Sequence, residues 1–339
     1  MFFLPRTVNF PLIHCCRMKK LCIFLLLQCC LIQGFSWGFF GHKMINRLAV
    51  FTLPEQLLGF YKEHIEYITE HSVDPDKRRY SVPEEACRHY IDLDHFEAVV
   101  PIDTVPRLWK DAVAKYTEDT LNAYGIVPWH ISSMKYRLTE AFRQKDVDQI
   151  LKVSTEIGHY IADAHVPLHA TENYNGQMSG QHGIHGFWES RLPELFSNEY
   201  DFFAGRAVYV DDPLGLAWRA SEGSFAAKDS VLLFERQLNE TFPSDQKYTQ
   251  EIKGQKEVKV YSTAYSAAYH KKLGGQVERR MQMSILAVGS IWYTCWVDAG
   301  QPDLAALGKK KKKLSDADRA KMMAEEQQLL QQRMIGREE

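Results

Sequence analysis

The stretch His159–Ser190, HYIADAHVPLHATENYNGQMSGQHGIHGFWES, constrains the chain more than any other. It holds two histidine–carboxylate pairs at a spacing of four, His159 with Asp163 and His185 with Glu189. On a helix that spacing sets both side chains on one face, about one turn apart. An imidazole nitrogen and a carboxylate oxygen so placed chelate zinc, which takes both at about 2.0–2.2 Å. A single such pair is commonplace as a surface ion pair. Two pairs, joined by a segment with Pro167 and three glycines and with His169 beside the proline, point to a metal site on helices.

Most of the remaining sequence also has helical period. Residues 42–51 align Ile45, Leu48 and Ala49, and residues 55–68 align Leu57, Leu58, Tyr61, Ile65 and Ile68, so both read as core-facing helices. Between them Thr52 is expected to cap and Pro54 to occupy the first turn. Further helices are expected over 103–123, 130–144, 147–166, 185–197, 213–240 and 262–298, with KEVKVYS as one arm of a small hairpin. Residues 72–88 contain two prolines and no clean period, which predicts a long surface loop. The fold class is therefore all-α with at most one small β-hairpin.

The upstream run PDKRRYSVPEEACRHYIDLDHF adds His89 and a choice between Asp74 and Asp76. Alone, His89 reads as a core histidine; beside the downstream pairs it joins the ligand candidates. His95, His130, His165 and His182 fit no ligand position and are expected to be structural or supporting residues.

Residues 18–36 carry two lysines, an apolar run from Leu21 to Ile32, and Gly34 and Ser36 at −3 and −1 of a cut before Trp37. That order is a secretory signal, too short to serve as a membrane anchor of roughly 20 residues. Met18 is the better start. Of seven cysteines, only Cys87 and Cys295 survive the cut, so a disulfide between them is open and a Cys-rich zinc site is excluded. Cleavage would give Trp37 a free α-amino group of reference pKa about 7.7–8.0, a nitrogen able to bind a metal at neutral pH. Its carbonyl closes a five-membered chelate, and His42, five residues on, supplies an imidazole.

With these residues in order, the sequence resembles the zinc-dependent phospholipases C of bacteria and the similar single-strand-specific zinc nucleases of fungi and plants. The resemblance spans most of 37–298 and is carried by 37–42, 74–89 and 159–189. It implies a mainly helical fold with three zinc ions in a cleft. Trp37 and His42 would hold one ion, with Asp163 bridging to a second completed by His89, His159 and the loop aspartate. His169, His185 and Glu189 would hold the third. Asp76, with the nuclease-like Pro-Asp-x-x-Arg context, is preferred to Asp74, which matches the spacing to the next histidine. The Trp-to-His spacing is nuclease-like, whereas glutamate at 189 is phospholipase-like.

The expected domains are a leader at 1–36, a phosphodiesterase domain at 37–303 and a charged tail at 304–339, whose lysine run 309–313 is read as solvated. Lysine plus arginine is 41 against 43 for aspartate plus glutamate, so no global positive field gathers nucleic acid. Three zinc ions against three carboxylates would instead create a local positive excess that draws phosphodiesters. Asp76 is the candidate for handling the attacking water and Arg79, or its neighbour Arg78, for clamping a phosphate oxygen. The expectation is an exported, monomeric zinc phosphodiesterase, phospholipase C-like before nuclease-like, with a non-catalytic zinc-binding protein as the reading from another class. Phe39, Phe40, Tyr90, Tyr174 and Phe187 are candidates for an apolar mouth or a base-stacking slot.

Overall fold

The fold is built around one helix, Val147–Ala164, that is buried on nearly every side. A computed structural model describes residues 38–97, 102, 104–253, 256–307 and 315–329, all within one compact unit, Gly34–Glu339. The expected signal sequence, Trp37 and the lysine run lie outside the described residues.

The longer helices are α1 (Gly38–Ala49), α2 (Glu55–Glu63), α3 (Ile65–Glu70), α4 (Val127–Gln144), α5 (Val147–Ala164), α6 (Pro213–Thr241), α7 (Thr263–Leu273) and α8 (Gln276–Asp298). Asp146 caps α5 by accepting from the Gln149 N–H at 3.1 Å, and every residue from Val153 to Ala164 is buried. A helix apolar all round belongs in a core. It packs against α4, α8, α1 and the turn at His71–Val73. His159 and Asp163 are therefore buried inside the molecule, as are Ser154, Thr155 and Glu156 of the same helix, and are not residues of a wet face.

Several boundaries differ from the sequence expectation for identifiable reasons. Thr52 does not cap α2; its hydroxyl turns back to the Ala49 carbonyl at 2.7 Å, and Pro54 takes the cap position. The stretch 103–123 resolves into helices Trp109–Tyr116 and Glu118–Tyr124, broken at Thr117 with φ 71°. Gly274 and Gly275, at φ 57° and 76°, separate α7 from α8 in a left-handed turn that favours glycine. The expected hairpin is present as β1 (Tyr248–Lys253) antiparallel to β2 (Lys256–Tyr261), with Tyr248 opposite Tyr261.

The largest correction concerns 72–88. It is not a surface loop but a set of helical turns, Asp74–Arg78 and Pro83–Arg88, that bury Asp76, Arg79 and Glu85. Its interior is charged rather than apolar, so hydrophobic periodicity had nothing to report. Cys87 and Cys295 are both free thiols: Cys87 faces Asn122, while Cys295 is buried beside the Lys135 carbonyl. The helix Asp316–Leu329 in the tail is exposed at most described positions. No described helix is long and apolar enough to cross a membrane.

Candidate metal centre

Four segments converge on the centre. From α1 comes His42, from the turn Asp74–Arg78 comes Asp76, and from the end of Pro83–Arg88 comes His89; α5 supplies His159 and Asp163. Gly158 makes the meeting of α1 and α5 possible, because a Cβ there would overlap the side-chain oxygen of Asn46. At that close approach the rings of His42 and His159 stack, 3.8 Å between centroids and 20° between planes.

Around the buried end of α5, His89 Nδ1 lies 2.9 Å from Asp163 Oδ2 and 3.1 Å from His159 Nε2. His159 Nε2 lies 3.2 Å from that same oxygen. Asp76 Oδ1 stands 3.5 Å from His159 Nε2 and 3.7 Å from His89 Nδ1. A tetrahedral zinc with arms of about 2.1 Å has ligand-to-ligand edges of roughly 3.4 Å. The five separations, 2.9–3.7 Å, lie around that edge, so His89, His159 and Asp163 are spaced as ligands of one ion, with Asp76 beside the two imidazoles. The other oxygen of Asp163, Oδ1, faces His42 Nε2 at 3.3 Å, while Asp76 Oδ2 is 4.0 Å from that nitrogen. Asp163 thus turns its two oxygens to two different sets of imidazoles.

A further group forms where His185 and Glu189 meet His169. His185 Nε2 is 3.0 Å and His169 Nε2 3.5 Å from Glu189 Oε2. His185 belongs to the short helix Ile184–Gly186 and Glu189 to a wide π-turn, Phe187–Arg191. Pro193 follows four residues after Glu189 and has no N–H for the Glu189 carbonyl, which disfavours regular α geometry there.

The described residues thus hold three candidate ligand groups: His42 with Asp76 and His159; His89 with His159 and Asp163; and His169 with His185 and Glu189, all buried. Their supporting contacts suit metal binding. His159 Nδ1 is 2.9 Å from the Ser72 carbonyl and His169 Nδ1 is 2.7 Å from the His89 carbonyl. A carbonyl only accepts, so Nδ1 carries the proton and Nε2 presents its lone pair to the centre. Both ring nitrogens of His42, with Asp76 Oδ1 and Asp163 Oδ1, are buried without a hydrogen bond. Such groups normally cost about 1–3 kcal/mol each, which a cation would offset. The residues fit a metal.

Electrostatics follow the same layout. Burial pushes the Asp163 carboxyl up, but the charges of His159 and His169 win and hold it well below the usual carboxylate range. Burial pushes His89 down, yet Asp163 and Glu85 outweigh it and carry the imidazole up to about 9. Burial, with His42 next to it, lowers His159.

Residues outside the centre separate cleanly. Asp74 is occupied by His71 at 2.7 Å and Lys77 at 3.4 Å, away from the cluster that Asp76 enters. Arg78 pairs with Glu85 at 3.2 Å and Glu156 at 2.8 Å, so it braces the fold. Arg79 is completely buried, and its charge acts on His89. His165 hydrogen-bonds the Ile161 carbonyl within its own helix, and burial lowers it to about 4. His130 packs edge-on to Tyr160 and is lowered by burial to about 3. His95 stacks on Tyr124, and His182 is exposed. Phe187 is buried in a stack with Tyr261 and Tyr269 and cannot line a mouth. Tyr174 stands beside His185, with 6.4 Å between ring centroids. Sequence reasoning passed over Glu85, although it precedes His89 by the same four residues that flagged the other pairs.

Fold and centre together define a mainly helical protein with buried histidine–carboxylate groups that could hold metal ions. The family model described as zinc dependent phospholipase C matches residues 41–250, and the chain belongs to that family. No curated protein matches the chain. Among solved structures, the alpha-toxin of Clostridium perfringens from avian strain SWCP is similar with a TM-score of 0.47 and 14% identity. The similarity covers 78% of this chain and 65% of the toxin chain.

Proposed function

We propose that the protein is an exported zinc-dependent phosphodiesterase that cleaves phospholipid in the manner of a phospholipase C. The observation that carries this reading is the family match over 41–250, the interval that contains every described candidate ligand from His42 to Glu189. Export follows from the signal-like segment 18–36, and cleavage before Trp37 would add its amine and carbonyl to His42. In this reading, His42 and Asp163 with Trp37 hold one zinc. His89, His159, Asp76 and Asp163 hold the second, and His169, His185 and Glu189 the third. The backbone N–H of Gly38 donates to Ser190 Oγ at 3.1 Å, which keeps the described start of the chain next to the Glu189 segment. That neighbourhood favours a role for Trp37.

Bound zinc supplies a lowered water pKa and positive charge for the oxygens on phosphorus. The chain's own groups do the rest. Asp163 shares its carboxylate between two imidazole sets and so ties their positions together. Asp76 places an acceptor oxygen where an attacking water would lose its proton. Arg79, whose charge reaches His89, is the candidate for a non-bridging phosphate oxygen. The water-poor surroundings of these buried groups strengthen each interaction.

Incubation of the processed protein with phosphatidylcholine and, separately, with single-stranded DNA tests the substrate. Release of phosphocholine with intact DNA is expected; DNA cleavage without phosphocholine would replace the phospholipase reading by the nuclease. Stoichiometric zinc without turnover of either substrate or of bis-p-nitrophenyl phosphate would leave a non-catalytic zinc protein.

A further inference from the structure

Glu85 is a buried acid beside the centre that no ligand role absorbs. It lies in the turn Pro83–Arg88 and is completely buried. Its Oε2 accepts from Arg78 Nε at 3.2 Å and from Arg88 Nη1 at 2.7 Å. Its Oε1 accepts from Arg78 Nη2 at 3.3 Å and from the Tyr160 hydroxyl, and it stands 3.6 Å from His89 Nε2. Two arginines thus hold the carboxylate charged and in place, with one oxygen toward the histidine.

His89 differs in orientation from its neighbours. His159 and His169 give Nδ1 to carbonyl oxygens and turn Nε2 to the centre. His89 does the reverse: Nδ1 faces Asp163, His159 and Asp76, and Nε2 faces away toward Glu85. Nδ1 has a lone pair for a metal only while the ring proton sits on Nε2. The backbone provides that arrangement for the other two rings; for His89 a side chain must.

We propose that Glu85 is a positioning residue, resting on the metal reading above: it holds the His89 proton on Nε2 and leaves Nδ1 free to bind zinc. Partners behind a metal-bound histidine typically change metal affinity by about 10–100-fold when lost. Glu85→Gln is the informative change because it keeps the shape. Oε2 faces two arginine donors, whereas Oε1 faces one at 3.3 Å and a Tyr160 hydroxyl that can turn to accept, so the amide oxygen is expected at Oε2 and the NH2 at Oε1. It then donates toward His89 Nε2, which drives the ring proton to Nδ1. Glu156→Gln is the comparator, since Glu156 is also buried and bonds the same arginine, Arg78 Nη1, at 2.8 Å.

Zinc affinity of the full processed chain, measured by competition with a chromophoric chelator, should weaken about 10–100-fold for one class of site in Glu85→Gln and stay unchanged in Glu156→Gln. In protein labelled with 15N-histidine and given equal zinc, His89 should bind zinc through Nδ1 and carry its proton on Nε2 in the unaltered chain, whereas in Glu85→Gln a zinc-free fraction should appear with the proton on Nδ1. Equal zinc affinity in Glu85→Gln, or an equal loss in Glu156→Gln, overturns the proposal in favour of a bracing role. If the unaltered protein takes up no zinc, the metal reading itself fails. Glu85 is then judged in the metal-free protein by the His89 Nε2 proton, protected from exchange in the unaltered chain and lost in Glu85→Gln; protection in both overturns the role.

Discussion

At the scale of single residues, Asp163 and His89 set the character of the centre. Asp163 is completely buried, and each of its oxygens meets a different set of imidazoles. In the proposed reading, replacing it, or His159, by alanine removes a ligand and not merely a support. Activity is expected to fall by more than about a hundredfold with a loss of bound zinc, checked by turnover and metal content. His89, raised from 6.5 to about 9, gives the pH dependence its sign. In the metal-free protein its charged form stabilises the fold fully below about pH 6.5, and that contribution is lost as pH climbs through about 9. Zinc needs the nitrogen that the proton occupies. Affinity at the His89 position should therefore rise about tenfold per pH unit and level off near pH 9, measured by chelator competition across pH.

At the scale of elements, two packing devices place the ligands. The contact of α1 with α5 at Gly158 leaves no room for a methyl group, because Asn46 is fully buried and its short side chain fills the space. Gly158→Ala is expected to cost about 1–3 kcal/mol and to disturb the His42–His159 stack. Thermal unfolding reads the cost, and adding Asn46→Ala should recover part of it if overlap is the cause. The wide turn Phe187–Arg191 is the other device. Pro193→Ala restores a donor for the Glu189 carbonyl and should let the turn tighten, rotating Glu189 away from His185. Several-fold weaker zinc at one site, with little change in the unfolding of the metal-free protein, is the expected outcome of a metal titration.

For the molecule as a whole, the buried centre joins α1, α5 and the turns between 71 and 89, so metal bound there is expected to be coupled to the fold. Removing zinc with a chelator should lower the unfolding temperature, since an ion held at a hundred times its Kd adds about 2.7 kcal/mol. The N-terminus makes a sharper test. A chain that starts at Trp37 should hold one more tightly bound zinc than a chain with one residue ahead of it, counted by metal analysis. Equal counts would remove the α-amine from the ligand set.

Much of this was readable in the chain. The helices with an apolar stripe, the hairpin and the histidine–carboxylate pairs are local patterns, fixed by spacings of three, four or two residues that need no knowledge of the rest of the molecule. Local chemistry also marked His89 and the pair Asp74 and Asp76 as candidates, and the Pro-Asp-x-x-Arg context favoured Asp76. The tertiary structure supplies the physical reason: Asp74 meets His71 and Lys77, while Asp76 meets the imidazoles. The burial of 72–88 and of the Glu85 carboxylate was likewise invisible, because charged groups enter a core only when partners distant in sequence are already there to receive them.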